Sequence, residues 1–158
     1  MLENAPVKTR RIKMEEFKLV GFRVLCPADQ YIKEIPKASL RLENRMPKIS
    51  HITNSNRQIG AFRAEECTED EDGYWVCMEV SAFEDVPEDM VTLTVPVQSY
   101  AVYHHQGSNR EIVKAYENLH KWIETSGFKR LKGRWHLELY HSWKDPERLS
   151  VELCDTIE

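Results

Sequence analysis

The sequence predicts an α+β fold made of two β-α-β-β units packed around a pseudo-twofold axis, with an antiparallel sheet and two main helices. Strand-type runs and helical patterns follow one another in the same order in both halves of the chain. No long linker divides the 158 residues, and 41% hydrophobic and 30% charged residues are close to globular averages. Two halves that meet in this way leave a central groove, which is a natural place for a ligand.

The first unit opens with FKLVGFRVL, residues 17–25, whose branched and aromatic side chains predict a strand. A helix follows, with Pro36 at a first helical position and Pro47 bending or ending the element. Residues 58–66 and 74–83 predict two further strands, because the acidic, glycine-containing turn CTEDEDG separates them.

The second unit repeats this order. Residues 90–98 alternate apolar and polar side chains until Pro96 interrupts them, and residues 99–105 resume as a strand. After a helix, residues 134–143 and 148–157 predict two strands that are joined by the turn KDPE.

The helix of the second unit is the clearest element in the chain. Ser108 is placed to cap it, and Glu111 is placed to reach back in a capping box. Gly127 supplies the stop. Apolar side chains recur between them at helical spacing, at Ile112, Ala115, Tyr116, Leu119, Trp122 and Ile123. We expect this stripe to be core.

Composition and charge exclude several classes of function. The net charge of -4 disfavours direct nucleic-acid binding, which depends on neutralising phosphates. No apolar run approaches the roughly 20 residues of a membrane helix, and the N-terminus lacks the apolar core of a signal peptide. We therefore expect a cytoplasmic protein without a membrane partner.

The tail and the cysteines complete this outline. We expect residues 1–16 to form a flexible N-terminal tail, with its basic run KTRRIK in solvent, and residues 17–158 to form a single domain. The four cysteines form no C-x-x-C pair and are expected to be reduced, mostly buried thiols. No cofactor or metal is expected, because no nucleotide-binding, serine-hydrolase or metal signature is present.

An ordered set of motifs resembles a known family. The motifs are VPEDM (86–90), VPVQSYAVYHHQG (95–107), IVKAYENLHKWIETSG (112–127), HLELYHSW (136–143) and VELCDTI (151–157). Together they are similar to the GyrI-like effector-binding domains, which also form the ligand-sensing part of bacterial multidrug-responsive transcription regulators. The resemblance implies an aromatic central groove with an acid at its base, suited to lipophilic and often cationic compounds.

Glu138 is the candidate groove acid, since the family's acid lies in a Glu-x-Tyr pattern that here is Glu138–Leu139–Tyr140. On a strand His136, Glu138 and Tyr140 share one face. The opposite face carries Trp135, Leu137, Leu139 and His141, and we expect it to pack on the helices. Spacing alone leaves open a solvent-facing Glu138 paired with a Lys or Arg.

A carboxylate in an aromatic cleft loses hydration, and this costs free energy unless a partner compensates. A bound organic cation would supply that partner, and each well-placed aromatic face would add about 0.5 to 2 kcal/mol. The candidate ligand-binding residues are Glu138, Tyr140, Tyr103, Tyr100, Trp75, Tyr74, His136 and Trp143. Tyr100 and Tyr103 lie on opposite faces of their strand, so at most one of them faces the groove, and the sequence does not decide which.

Two functions remain open. The first is a free-standing small-molecule-binding module that sequesters a drug or metabolite, or signals to a regulator or gyrase partner. About 16 residues precede the first predicted strand, too few for the DNA-binding segment that the family's regulators carry. The second is a hydrolase of cyclopropane-containing alkylating natural products, an activity that the resemblance implies for some free-standing members. Glu138 would then act as general base and Tyr103 as the hydroxyl acid.

Overall fold

The computed structural model describes residues 9–65 and 68–158. The strands are β1 (Thr9–Met14), β2 (Phe17–Val24), β3 (Gln58–Arg63), β4 (Tyr74–Val80), β5 (Val91–Val95), β6 (Gln98–Gly107), β7 (Trp135–Ser142) and β8 (Leu149–Ile157), and the helices are α1 (Tyr31–Arg45) and α2 (Ile112–Thr125). Within the described residues these strands form one antiparallel sheet in the order β1-β6-β8-β7-β3-β4-β2-β5. The predicted α+β fold is confirmed.

The sheet order shows how the two halves are joined. One unit consists of β2, α1, β3 and β4, the other of β6, α2, β7 and β8, and the units meet where β3 pairs with β7. Each unit is preceded in the chain by one more strand, which pairs with the other unit: β1 lies beside β6, and β5 lies beside β2. The halves therefore exchange their edge strands.

The structure differs from the expected flexible tail over residues 1–16. Residues 9–14 form β1, which runs in register with β6 from the pair Thr9–Tyr103 to the pair Met14–Gln98. Local pattern gave no strand signal because this segment is mostly polar and its partner strand lies in the other half of the chain. Residues 1–8 lie outside the described part of the structure.

Helix α1 begins at Tyr31, so Pro36 lies inside the helix and not at its first position. Proline has no N–H to donate to the carbonyl of Ile32, four residues earlier. The side chain of Asn109, in the turn before α2, donates to that carbonyl instead (Nδ2–O 3.3 Å). A long-range contact thus satisfies the group that the proline leaves without its helical partner.

The start of α2 also differs in detail from the predicted capping box. Ser108 Oγ accepts the backbone N–H of Arg110 (3.1 Å) and caps a 3-10 turn, Asn109–Glu111, that leads into the helix. The same hydroxyl donates to Glu147 (2.7 Å). No reciprocal bond from Glu111 is found among the hydrogen bonds of residues 9–65 and 68–158.

The core has two layers. In one, α1 and α2 pack on a single face of the sheet and bury Ala38, Leu42, Ala115, Leu119 and Ile123. The other layer, on the opposite face, consists of strand residues alone. It contains Leu137 and Leu139, so our expectation that their face packs on the helices is wrong. The helices cover the face of Glu138, because alternation along a strand separates two faces without deciding which one a helix covers.

The thiols and the helices fit the compositional expectations where the structure describes them. Cys77 and Cys154 are buried and Cys26 is half-buried, all three as free thiols, whereas Cys67 lies outside the described residues. None of the helices formed by the described residues combines the length and the apolar character that crossing a membrane requires.

Candidate functional site

A groove of about 450 Å³ lies between the two helices, above the junction of β3 and β7. Its walls come from α1, the first turn of α2 and the β7–β8 turn, and its floor comes from the central strands. Wall residues include Tyr31, Ile35, Pro36, Ile112 and Val113, and floor residues include Tyr74, Glu138 and Tyr140. The groove is therefore mostly apolar and aromatic, with a carboxylate at its base.

Glu138 is only 5% exposed and is held by three tyrosine hydroxyls. Tyr74 and Tyr140 donate to Oε1, the latter at 2.9 Å, and Tyr116 donates to Oε2 at 2.6 Å. A carboxylate has about four acceptor positions, so one remains free. Hydrogen bonds to a charged acceptor are stronger than neutral ones, and together they fix the orientation of this side chain.

The electrostatics of the floor keep these three phenols protonated. Burial first, and then the negative charge of Glu138, raise the pKa of Tyr74, Tyr116 and Tyr140 well above the usual value. They therefore act as donors at neutral pH.

The basic side chain that lines the groove already has partners outside it. Arg63 belongs to the lining, but it donates to Glu71 (2.9 Å) and to the carbonyl of Gly133. No lysine, arginine or histidine of the described residues forms an ion pair with Glu138. The lining also includes the exposed carboxylate of Asp72. The groove thus presents more negative than positive charge, in apolar surroundings.

A glycine makes room for this arrangement. Gly60 on β3 lies directly opposite Glu138 on β7 in the sheet register. A Cβ atom at position 60 would collide with the phenol of Tyr74, which crosses this space to reach Glu138. Phe62 stacks on the same ring, with centroids 5.9 Å apart and planes at 15°. The phenol of Tyr74 on β4 therefore fits because position 60 on β3 has no side chain.

Two hydrogen bonds, besides the exposed ion pair of Lys144 with Glu43 (3.6 Å), tie α1 to the second half of the molecule around the groove. One is the bond from Asn109 to the carbonyl of Ile32 (3.3 Å). The other runs from the indole N–H of Trp143, in the β7–β8 turn, to Glu43 (2.9 Å). Both span the junction of the two halves, so they set how far apart the walls stand.

Four of the residues predicted from sequence come together in the groove: Tyr74, Glu138, Tyr140 and Trp143. Trp75 and Tyr100 do not, because both are buried in the layer on the opposite face of the sheet. Neighbouring residues on a strand point to opposite faces, so Tyr74 and Trp75 cannot share a site.

Tyr103 and His136 lie on the helix side of the sheet but outside the groove. Tyr103 is half-buried against the cluster under α2 and is absent from the lining of the groove. His136 shares the face of Glu138, as predicted from alternation, but it lines a second cavity nearby.

Sequence reasoning missed Tyr116, the donor to Oε2 of Glu138. Its helical spacing assigned it to the apolar stripe of α2, and its ring does pack there. The available signal was its hydroxyl, because a tyrosine in a buried stripe needs a hydrogen-bond partner for its polar end.

Comparison with solved structures places this geometry among known folds. The structure matches SAV2435 bound to tetraphenylphosphonium with 16% sequence identity and a TM-score of 0.71. The match covers 96% of this chain and 94% of that chain. The structure also matches the C-terminal domain of EcmrR, at 18% identity, coverage of 95% and 96% and a TM-score of 0.69. A hydrolase encoded by lin2189 from Listeria innocua matches at 15% identity, coverage of 96% and 92% and a TM-score of 0.58. At these identities the likeness establishes the fold.

Sequence comparison identifies the family. No curated protein matches the chain. The family model described as integron-associated effector binding protein, Cass2, matches residues 12–153, which is most of the chain. This chain belongs to that family, one of the GyrI-like effector-binding folds.

Proposed function

We propose that this protein is a cytoplasmic small-molecule-binding module whose groove takes lipophilic organic cations, with Glu138 as the counter-charge. The observation that carries the proposal is a buried carboxylate, without a basic partner among the described residues, at the base of an aromatic groove. Burying an unpaired charge costs free energy. A ligand that brings positive charge recovers part of that cost when it binds.

The tyrosines determine which cations suit the groove. Three hydroxyls occupy most of the acceptor positions of Glu138, so a compact ammonium group finds little left to accept its N–H donors. A bulky cation without N–H groups needs no such acceptor, since it is attracted by the charge of the carboxylate and by aromatic ring faces. One structural neighbour binds tetraphenylphosphonium, a cation of this kind, which supports the proposal.

Such a module would act either by sequestering its ligand or by passing the binding event to a separate regulator. The volume of about 450 Å³ is within the range of drug-sized pockets. Few directional hydrogen bonds are available to a ligand, so we expect the groove to accept several related cations.

The test is calorimetric binding of tetraphenylphosphonium and of its neutral analogue tetraphenylmethane derivatised for solubility. Glu138→Gln keeps the size of the side chain and removes its charge, so we expect the affinity for the cation to fall about 10- to 100-fold, while the neutral compound is unaffected. Glu79→Gln is the matched control, because Glu79 is paired with Arg57 (3.0 Å) on the opposite face of the sheet. Equal cation affinity of wild type and Glu138→Gln would refute the proposal.

Hydrolysis is the second candidate, and the contact between phenols and a carboxylate favours it. Glu138 would take a proton from the water that opens a strained ring, and a tyrosine hydroxyl would protonate the oxygen that receives the electron pair of the broken bond. Tyr74, Tyr116 or Tyr140 would supply that proton, since Tyr103 lies outside the groove. The hydrolase from Listeria innocua shares the fold.

We rank binding first because three hydroxyls leave Glu138 a single acceptor position for the proton of water, whereas the electrostatic attraction of a cation needs no such position. Mass spectrometry of a cyclopropane-containing electrophile incubated with excess protein separates the two candidates. Appearance of the water adduct, lost in Glu138→Gln, would establish the enzyme. If the electrophile stays unchanged, hydrolysis is refuted and small-molecule binding remains as the function.

A further inference from the structure

The groove shares a wall with a second cavity, of about 360 Å³. Phe62 and Arg63 line both cavities. The guanidinium of Arg63 is held by Glu71 (2.9 Å) and by the carbonyl of Gly133. The ring of Phe62 is therefore the apolar part of the shared wall.

Phe62 lies in a stack of three rings. It belongs to β3, and the other two rings come from the strands on either side, His136 on β7 and Tyr74 on β4. The centroids of Phe62 and His136 are 5.6 Å apart, with planes at 28°, and those of Phe62 and Tyr74 are 5.9 Å apart, with planes at 15°. Both distances are typical of offset stacking. Tyr74 lines the groove and His136 lines the second cavity, so the phenyl ring occupies the boundary between them.

Helix α2 contributes to the same boundary. The ring of Tyr116 meets Phe62 edge-on, with centroids 6.4 Å apart and planes at 85°. Tyr116 lines the second cavity, while its hydroxyl donates to Glu138 at the floor of the groove (2.6 Å). A hydrogen bond to a buried charge thus anchors Tyr116, whereas the phenyl ring of Phe62 has no polar atom to anchor it.

The burial of Phe62 is unusual for its position. It lies on a central strand and on the face that the helices cover, where a phenylalanine is normally buried, yet it is half-buried. Protein interiors contain few voids larger than a water molecule. Cavity space on two sides of the ring accounts for its exposure.

The second cavity is polar, but its charges are already paired. Asp155 is 1% exposed, and its Oδ2 lies 2.7 Å from Arg130 and 2.8 Å from His120. Its Oδ1 lies 2.8 Å from His136. A charged guest would have to compete with these pairs. A neutral group that both donates and accepts hydrogen bonds, such as a carboxamide, suits this lining better.

We propose that Phe62 determines ligand specificity as the partition between the two cavities. In the native protein the ring ends the binding site, so a bulky cation stays in the groove and any longer arm extends into solvent. Without the ring, the second cavity becomes an inner extension of the site that takes a neutral polar arm. The inference rests on the proposed function, because it concerns a ligand of the same groove.

The first experiment compares tetraphenylphosphonium with a longer analogue, in which one phenyl is replaced by a biphenyl that ends in a para carboxamide. Calorimetry gives the ratio of the two affinities. We expect wild type to bind the longer cation no more tightly than the parent. In Phe62→Ala the ratio should shift about tenfold in favour of the longer cation. Phe62→Leu, which removes the planar ring with less loss of volume, should shift it in the same direction by less.

Two control variants show where the arm lies. Ile35→Ala truncates an apolar residue that lines the groove but not the second cavity, so it should change both affinities alike and leave their ratio. Ala64 lines the second cavity but not the groove. Adding Ala64→Leu to Phe62→Ala should therefore abolish the gain. The imidazole resonances of His120 and His136 should differ between the two complexes in Phe62→Ala and agree in wild type.

A crystal structure of Phe62→Ala tests the partition without any ligand. We expect one continuous cavity beneath the ring of Tyr116. The proposal is overturned if the cavities remain separate, if the affinity ratio is unchanged in both Phe62 variants, or if the arm already shifts the His136 resonances in wild type. Failure of the proposed function looks different, because tetraphenylphosphonium would then bind equally to wild type and Glu138→Gln while the crystal structure still reports on the partition.

Discussion

At the scale of single residues, Gly60 has a larger effect on the site than its size suggests. It lies opposite Glu138, and its missing side chain leaves the path along which the phenol of Tyr74 reaches the carboxylate. Glycine weakens a strand interior, so a glycine in a central strand calls for a reason of this kind. The cost in strand stability is offset by a hydrogen bond to a buried charge.

Gly60→Ala should therefore disturb the site through Tyr74. The new Cβ pushes the phenol away from Glu138, and we expect unfolding free energy to fall by about 1 to 3 kcal/mol, as for other overpacked cores. Affinity for tetraphenylphosphonium should fall as well. Chemical denaturation and calorimetry measure the two effects.

A double-mutant cycle provides the control. In a Tyr74→Leu background the ring that collides with the new Cβ is absent, so most of the cost of Gly60→Ala should disappear. Strictly additive costs would show that Gly60 acts on something other than Tyr74.

The family resemblance predicted the acid and alternation along the strand predicted its neighbour, but neither predicted the full set of donors. Glu138 and Tyr140 share a face because they are two residues apart. Tyr116 reaches the same carboxylate from α2, and Tyr74 reaches it past Gly60. Contacts between distant elements depend on packing, which the spacing of residues within one element does not encode.

At the scale of elements, α1 connects the two halves through its proline. Pro36 leaves the carbonyl of Ile32 without a helical donor, and Asn109 supplies one from the turn before α2. Sequence rules put Pro36 at a helix start because they consider only the helix itself. The helix starts earlier because the missing bond is made from outside it.

Pro36→Ala should restore the helical bond to Ile32 and make the contact from Asn109 redundant. We expect Asn109→Ala to speed the release of tetraphenylphosphonium several-fold in wild type, since a wall of the groove is then less firmly held. In the Pro36→Ala background the same change should have little effect. Stopped-flow displacement measures the release rates.

Asn109→Asp is the matched variant, because it keeps the shape of the side chain but cannot donate to the carbonyl. It should behave like Asn109→Ala. Release rates that respond equally in both backgrounds would mean that the bridge to α1 does not hold the groove.

At the scale of the whole molecule, the order of elements was enough to predict the duplicated fold and its groove. The sequence did not predict β1, because nothing local in a polar segment shows that it pairs with β6 in the other half. It also did not predict which face of the sheet the helices cover, and this choice determined that Trp75 and Tyr100 are core residues and not groove residues.

Because the two halves exchange their edge strands, each half needs a strand from the other to complete its part of the sheet. A cut in the loop between β4 and β5 gives one fragment that carries β1, needed beside β6, and another that carries β5, needed beside β2. Alone, each fragment exposes an unpaired sheet edge, which promotes aggregation. Together they should reassemble and restore binding of tetraphenylphosphonium, whereas a first fragment lacking residues 1–14 should not complement. Size-exclusion chromatography and calorimetry check both outcomes. The two fragments thus form a split reporter, because binding of the ligand shows that they have reassembled.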